Sequence, residues 1–302
     1  MAGQEGIEEI KTRLSNIRSV EPILGAMRTI SLGSWQAALK RKGLVVEYTQ
    51  RLLALLPWLA PMLHVRHRRQ RRSPREPSPP AISVVAIGTQ RGLCGAFNSS
   101  VIRYAEAELE RLQVHGARDA QVELCALGAR MARMLAYQGH TVARSWPLPM
   151  SALPTNELAN ELTHAWLGRY EARELDAVYL IYNTYRNSTL YEPVTVRLIP
   201  PPIPSSPEAS EPWSKPYVDT DPMSLYTRLI VLWATTEVYR ILLDSAAAEH
   251  SARYQLMEGA AQNSSRLIDE LTLALQSARQ HAITSEMQEL AAGAGLLGSQ
   301  EA

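Results

Sequence analysis

Residues 221–292 decide the fold and have the sequence DPMSLYTRLIVLWATTEVYRILLDSAAAEHSARYQLMEGAAQNSSRLIDELTLALQSARQHAITSEMQELAA. Asp221 followed by Pro222 is a typical helix start, because an aspartate can accept backbone N–H groups and proline suits the first helical position. No proline follows within the stretch. It therefore predicts one continuous helix of roughly 70 residues, which at about 1.5 Å per residue would be roughly 100 Å long.

Apolar and small residues recur along this predicted helix at alternating steps of four and three. Such a heptad spacing places its members on one stripe, which a partner helix covers in a coiled coil. The predicted stripe has a polar middle and consists of Leu225, Leu229, Leu232, Thr236, Tyr239, Leu243, Ala246, His250, Arg253, Met257, Ala260, Ser264, Leu267, Leu271, Ala274 and Ala278.

The first part of the chain supplies a partner helix. Steps of three and four predict an amphipathic helix that runs to about Leu56, where Pro57 and Pro61 end it. Pro22 lies inside the pattern and should kink or restart the helix. We therefore predict a long antiparallel coiled coil of the N- and C-terminal helices. The apolar positions that begin this pattern are Ile7, Ile10, Leu14, Ile17, Leu24, Met27 and Ile30.

The middle of the chain alternates between short β-branched runs and amphipathic segments. Strands are predicted at 82–87, 122–127, 141–146, 177–182 and 193–199, with helices at 101–113, 129–138 and 157–170. This alternation is typical of an α/β domain with a sheet that is mostly parallel at its start. We predict an inserted Rossmann-like domain at 81–200, between a helix at 1–62 with a basic proline-rich linker at 63–80 and a proline-rich loop at 201–220 with a helix at 221–302.

Composition excludes several classes of function. Lys and Arg number 31 and Asp and Glu 30, so the charge gives no general attraction to nucleic acid. The apolar stretches are too short to cross a bilayer, and the acidic N-terminus lacks the pattern of a secretory signal. The 2 cysteines and 7 histidines show no metal-ligand spacing. We expect neither a metal nor a disulfide framework.

The loop after the first predicted strand, GTQRGLCG at 88–95, occupies the place of a nucleotide-binding loop. Its spacing matches neither the dinucleotide fingerprint nor the phosphate loop, which ends in Gly-Lys-Ser or Gly-Lys-Thr. We interpret it as a tight strand-to-helix turn rather than a ligand cradle. Cys94 would need a neighbouring base to act as a nucleophile, and the sequence offers none. We predict no catalytic residue and no cofactor.

Two motifs resemble the gamma subunits of F-type ATP synthases. The segment ARQHAITSE at 278–286 is similar to the C-terminal signature of that family, and RGLCGAFN at 91–98 is similar to its turn after the first strand. A weaker similarity covers Ile10 to Met27 in the N-terminal helix. Together these segments span nearly the whole chain, in the family's order.

The resemblance implies a central-stalk rotor that couples ion flow through a membrane ring to ATP synthesis or hydrolysis in a catalytic head. The chain would itself be non-catalytic. Its partners would be the alpha and beta subunits of the head, the epsilon subunit and the membrane c-ring, with no nucleic acid and no direct span of the bilayer. The implied location is peripheral, on the cytoplasmic face of a bacterial inner membrane.

The same resemblance implies two sets of partner contacts. The first set would contact the catalytic head and consists of Met27, Arg279, Gln280, Thr284 and Glu286. The second set would contact the ring and the epsilon subunit and consists of Trp213, Lys215 and Tyr217.

Several positions depart from the family pattern. Thr89-Gln90 stands where the family has Ser-Asp, Gln276 stands where it has asparagine, and Pro22 is unusual in its N-terminal helix. These departures indicate a divergent lineage or a second, alternative synthase. Two other classes of protein remain open as alternatives. One is a Rossmann-type nucleotide-dependent enzyme with helical extensions, and the other is a coiled-coil scaffold without energy coupling.

Overall fold

Long helices begin and end the chain, with an α/β segment between them in sequence. The computed structural model describes residues 2–59, 80–115, 121–150, 153–201 and 219–293. The mixed α/β architecture confirms the predicted fold class. The elements are α1 (Ala2–Leu59), β1 (Ala81–Ile87), α2 (Phe97–His115), β2 (Gln121–Leu127), α3 (Ala129–Tyr137), β3 (Val142–Trp146), α4 (Asn156–Glu171), β4 (Ala177–Tyr185), β5 (Tyr191–Ile199) and α5 (Pro222–Gly293).

The five strands form one sheet in the order β3-β2-β1-β4-β5. Strand β1 is parallel to both β2 and β4, and β2 is parallel to β3. Only the last pair, β4 with β5, is antiparallel among these strands. Strands β2 and β3 are added on one side of β1, and β4 and β5 on the other side. The topological switch point of the sheet therefore lies between β1 and β4.

Helices cover both faces of the sheet. Successive residues of a strand point to opposite faces, so Val84 and Ala86 face one side while Val85 and Ile87 face the other. The first pair packs with residues of α2 and α3, including Ile102. The second pair packs with residues of α4 and α5, including Trp166, Trp233, Ala234, Val238 and Leu242. Helix α5 thus forms part of the core of the α/β segment.

The chain divides into two compact units, Ser31–Arg253 and a unit made of Met1–Ile30 with Tyr254–Ala302. Within Ser31–Arg253, α1 and α5 are antiparallel, because Ala38 packs with Ala246 and Ala247 whereas Leu52 packs with Leu229. In the other unit, Arg28 Nη1 lies 3.0 Å from Glu258 Oε2. Among the described residues, no helix combines the length and apolar character that crossing a membrane requires.

The predicted stripe of α5 is wrong at three positions, because Leu232, Leu267 and Ala274 are exposed. In each case the next residue, Trp233, Ile268 or Leu275, is less exposed and takes its place. The reason is that both the i+3 and the i+4 position are apolar at these steps, and both lie on the same side of a helix. Ile30 of α1 is similarly 62% exposed, while Ser31 is buried.

Proline does not divide α1. The helix continues through Pro22 without restarting and ends at Leu59, three residues beyond the predicted end. Pro22 and the residues around it, 18–23, are all exposed. Because proline lacks an N–H group, the carbonyl of Arg18 loses its helical partner, and at an exposed position water can bind that carbonyl instead.

Candidate functional site

The turn between β1 and α2 packs against its own chain. The backbone N–H of Thr89 donates to Asn98 Oδ1 over 3.0 Å, and Asn98 Nδ2 donates back to Thr89 Oγ1 over 2.9 Å. A Cβ atom on Gly88 would lie 2.4 Å from Met131 Cε and 2.5 Å from Asn98 Oδ1. Because glycine has no Cβ, the side chains of Met131 and Asn98 can pack directly against its backbone, as a tight strand-to-helix turn requires.

The side chain of Gln90, in the loop after β1, lies at the N-terminus of α3. Its side-chain oxygen accepts the N–H groups of Ala129 and Leu148 over 3.0 and 2.9 Å. Gly128, the residue before α3, has φ 98° and provides no side-chain cap. The first turn of a helix after a parallel strand is a common site for phosphate groups. Here the amide oxygen of Gln90 accepts one N–H of that turn, and the carbonyl of Thr89 accepts the N–H of Arg130 over 3.1 Å.

The switch point between β1 and β4, where open α/β sheets bind ligands, holds polar side chains and α5. Asn183 is buried, and its Nδ2 donates to the carbonyl of Phe97 over 2.8 Å. Ser100 Oγ lies 3.1 Å from Asn183 Oδ1. The ring of Phe97 in turn packs on Tyr191 and on Ala248 of α5. Side chains of the protein thus fill the place where a ligand binds in other sheets of this type.

A buried charged cluster on α5 faces the same turn. Arg253 pairs with Glu249 one turn earlier, and its Nη2 also donates to the carbonyl of Gly92 over 3.4 Å. Burial raises the pKa of the Glu249 carboxyl. Burial, and secondarily the charge of Arg253, lowers the pKa of His250 to about 4. His250 is therefore neutral at physiological pH. Its Nδ1 lies 3.3 Å from Arg253 Nη1.

Cys94 lies in the same cluster and is 4% exposed. Burial, and then the charge of Glu249, raises the pKa of its thiol above the ordinary value. Since the thiolate is the nucleophile, this environment suppresses nucleophilic chemistry at Cys94. Within the described ranges, no group of three or more His, Cys, Asp or Glu is arranged to hold a metal ion.

Asp244 joins three elements inside the unit Ser31–Arg253. Its Oδ1 accepts Lys42 Nζ of α1 over 2.7 Å and the N–H of Tyr185 over 3.1 Å. Its Oδ2 accepts Thr184 Oγ1 of β4 over 2.8 Å. Asp244 is 1% exposed, within a run of eight consecutive buried residues, 241–248. Asp244 was not among the residues predicted from sequence, although a lone acid inside the apolar run ILLDSAAA is a visible signal.

The residues predicted to contact the catalytic head lie on α1 and α5. Met27 is half-buried, whereas Arg279, Gln280, Thr284 and Glu286 are exposed. Thr284 Oγ1 donates to the carbonyl of Gln280 within the helix over 2.8 Å. Trp213, Lys215 and Tyr217, predicted to contact the ring and the epsilon subunit, lie outside the described residues.

Three apolar side chains near the end of α5 are exposed. Ile283, Met287 and Leu290 are 58%, 66% and 74% exposed. Their spacing of four and three places them on one side of the helix. This stripe was not among the predicted contacts, although its heptad spacing is legible in the sequence.

A sequence model described as ATP synthase matches residues 6–297, almost the whole chain. The chain belongs to the ATP synthase family. Among curated members, it is 29% identical over 300 residues to the ATP synthase gamma chain of Pelotomaculum thermopropionicum, and the alignment covers 96% of this chain and 99% of that protein.

Solved structures of family members share the fold. A chain of the Euglena gracilis mitochondrial ATP synthase is 15% identical and superposes with a TM-score of 0.66, covering 99% of each chain. A chain of the central stalk and c-ring of the Tetrahymena thermophila mitochondrial ATP synthase is 20% identical, with a TM-score of 0.53, and covers 79% of this chain and 99% of that one.

Proposed function

We infer that this chain is the gamma subunit of an F-type ATP synthase, its central-stalk rotor. It couples ion flow through the membrane ring to ATP synthesis or hydrolysis in the catalytic head by rotation. The observation that carries this conclusion is the similarity to a gamma chain over 99% of that protein's length. A match confined to the α/β segment would have been compatible with a nucleotide-dependent enzyme.

The architecture suits transmission of torque. A rotor needs a stiff element, and in the unit Ser31–Arg253 the helices α1 and α5 pack antiparallel against each other. It also needs that element to be fixed to a body on which force can act. Helix α5 satisfies this need, because Trp233, Val238 and Leu242 lie in the core under the sheet.

The exposed end of α5 is our proposed contact with the alpha and beta subunits of the catalytic head. Ile283, Met287 and Leu290 form an apolar stripe that a surrounding ring of subunits would cover. The polar contacts are assigned to Arg279, Gln280, Thr284 and Glu286. Met27 on α1 is assigned as a further, apolar contact. Arginine suits this role because its planar guanidinium binds carboxylates through two hydrogen bonds.

The opposite contact, with the c-ring and the epsilon subunit, is assigned to Trp213, Lys215 and Tyr217. The support is their position in the chain, shortly before α5 begins at Pro222. A cysteine placed at Tyr217 should cross-link to the polar loop of the ring. Cross-links that form only to the catalytic head would refute the assignment.

The chain itself supplies no catalytic group in this proposal, and it is peripheral on the cytoplasmic face of a bacterial inner membrane. Purification through an affinity tag on this chain, from the membranes of its own organism, tests the assignment. We expect the alpha, beta, epsilon and c subunits to co-purify. Recovery of the chain without any of them would contradict the rotor function.

A matched pair of variants tests whether the apolar stripe of α5 contacts the alpha and beta subunits. Ile283→Glu combined with Met287→Glu puts two charges into the apolar stripe and should reduce the recovery of alpha and beta subunits. Leu190→Glu changes an apolar residue that is 46% exposed in the turn between β4 and β5, and it should leave their recovery unchanged. Equal recovery with all variants would remove the stripe from the proposed interface.

A further inference from the structure

The carboxylate of Asp244 is the point at which α1, β4 and α5 are joined by directional bonds. Its oxygens accept Lys42 Nζ from α1, and Thr184 Oγ1 and the Tyr185 N–H from the end of β4. Arg240, one turn earlier on α5, lies 4.0 Å from Oδ2. One side chain of α5 therefore connects the other long helix to the sheet.

The apolar packing around this carboxylate acts in a different way. Ala38 of α1 lies against Ala246 and Ala247 of α5, and the larger side chains of Trp35, Leu39 and Tyr185 pack against the same cluster. Such contacts remove apolar surface from water and set the distance between the helices, but they are non-directional.

Hydrogen bonds to a charged acceptor, in contrast, are directional and short. A rotation of α1 about its axis would carry Lys42 away from Asp244, and a shift of α5 along the sheet would separate Asp244 from Thr184. Because Asp244 is 1% exposed, water does not readily replace either partner.

We propose that Asp244 is a positioning residue that holds α1, α5 and the sheet in one rotational register. Force applied to the sheet then reaches both long helices together. This inference rests on the proposed rotor function and adds to it a specific joint, formed by Asp244 with Lys42, Thr184 and the backbone of Tyr185.

Three variants of the chain, each in the complete complex reconstituted into vesicles, test the joint. Asp244→Asn keeps the shape and removes the charge. The pair Lys42→Met with Asp244→Leu replaces the ion pair by apolar groups of similar volume and removes the acceptor of Thr184 and Tyr185. Lys42→Arg keeps the charge. The control, Arg186→Gln with Glu192→Gln, removes an ion pair of the same unit whose side chains are 53% and 47% exposed.

The decisive quantity is the number of ions pumped per ATP hydrolysed, measured beside the melting temperature of each complex. We expect Asp244→Asn and the apolar pair to lower this ratio by about half, while Lys42→Arg and the control keep it. The apolar pair should also lower the melting temperature, because it leaves the Thr184 hydroxyl and the Tyr185 N–H without their acceptor. A lower ratio in complexes that still hydrolyse ATP at the parental rate is the result that a purely structural role would not explain.

An unchanged ratio in both Asp244→Asn and the apolar pair would overturn the proposal, as would an equal fall in the control. Failure of both to assemble, while Lys42→Arg assembles, would also overturn it in favour of a purely structural role. If complexes with the unmodified chain incorporate it but pump no ions on ATP addition, the rotor function itself fails. The two failures are therefore distinguishable.

Discussion

The side-chain oxygen of Gln90 accepts the backbone N–H of Ala129 over 3.0 Å, so a neutral residue from another loop closes the first turn of α3. The same oxygen accepts the N–H of Leu148. One amide thus holds together the segments that follow β1, β2 and β3. Gly128 offers no side chain that could replace it.

Removal of that amide should destabilise the protein. Gln90→Ala leaves two partly buried N–H groups without their acceptor, and an unsatisfied group of this kind costs about 1–3 kcal/mol. Gln90→Glu keeps the length of the side chain and adds a negative charge, which at a helix N-terminus contributes about 0.3–1 kcal/mol. Urea unfolding should therefore rank the variants Glu, Gln, Ala in falling stability. A Gln90→Ala variant as stable as the parent would contradict the role of this amide.

Two glycines with positive φ offer a matched comparison. Gly128 has φ +98°, and a Cβ there would lie 2.6 Å from the carbonyl oxygen of Thr89. Gly139 has φ +88° with no atom within 4 Å of that position. Gly139→Ala should cost only the backbone strain of about 1–2 kcal/mol. Gly128→Ala should cost about 1–3 kcal/mol more, because the Thr89 backbone must move. Equal unfolding free energies would show that the close approach does not matter.

His250 should make the protein less stable in mild acid. Its pKa of about 4 lies below the ordinary 6.5, so between these values the unfolded chain binds more protons than the folded chain. Stability is then fully present above about pH 6.5 and decreases as pH falls toward 4, by about 3 kcal/mol in total. His250→Gln removes the titrating group but keeps an acceptor for Arg253.

The control for this prediction is the difference between the parent and His250→Gln across the same pH range. The raised pKa of Glu249 acts in the opposite direction, since its contribution to stability is lost as pH rises. Both proteins contain Glu249, so its effect largely cancels in the difference. Parallel stability curves for the two proteins between pH 4 and 6.5 would rule out a depressed pKa at His250.

Arg279 and Gln280 should affect the turnover of the complex rather than the fold of the chain. Both are exposed on α5, so replacement by alanine should change the unfolding free energy by less than about 0.5 kcal/mol. Loss of a charge-assisted bond to the catalytic head in the transition state should lower the ATPase rate about tenfold. Arg266→Ala on the same helix, exposed and paired with Glu270, is the control. Unchanged turnover in both variants would refute these contacts.

The isolated chain should bind neither ATP nor NAD in the micromolar range. Gln90 satisfies the N-terminus of α3, and Asn183 with Phe97 fills the switch point of the sheet. Calorimetric titration of each nucleotide measures this directly. Micromolar binding of either would favour the nucleotide-dependent enzyme over the rotor.

The order of the elements and some of their limits were predictable from sequence because strong local signals mark them, whereas the predicted helix 101–113 begins at Phe97 and ends at His115 in the structure. Asp221 and Pro222 place the start of α5, and the β-branched run at 82–87 places β1. The side of a helix that becomes buried was less predictable. Leu267 and Ile268 are chemically equivalent candidates, and only the position of neighbouring residues makes the second less exposed.

The hydrogen bonds and ion pairs between different elements were not predictable, because their partners are distant in the chain. Lys42 and Asp244 are 202 residues apart, and Ser100 and Asn183 are 83 apart. No local pattern indicates which polar residues a fold will bring together. The motif around Arg279 was visible only as a resemblance, because an exposed polar side of a helix has no distinctive spacing of its own.

The core under the sheet contains Trp233, Val238 and Leu242 of α5 together with residues of β1, β2 and β4. During synthesis, the ribosome therefore completes all five strands before α5 emerges, and α5 shares the cover of one face of the sheet with α4. Until Leu242 has left the exit tunnel, apolar side chains of that face, such as Val85 and Leu180, have only part of their final cover. Between the synthesis of Ile199 and that of Leu242, the nascent chain thus carries a completed set of strands with one face partly exposed. The α/β unit can finish folding only once the first part of α5 has emerged.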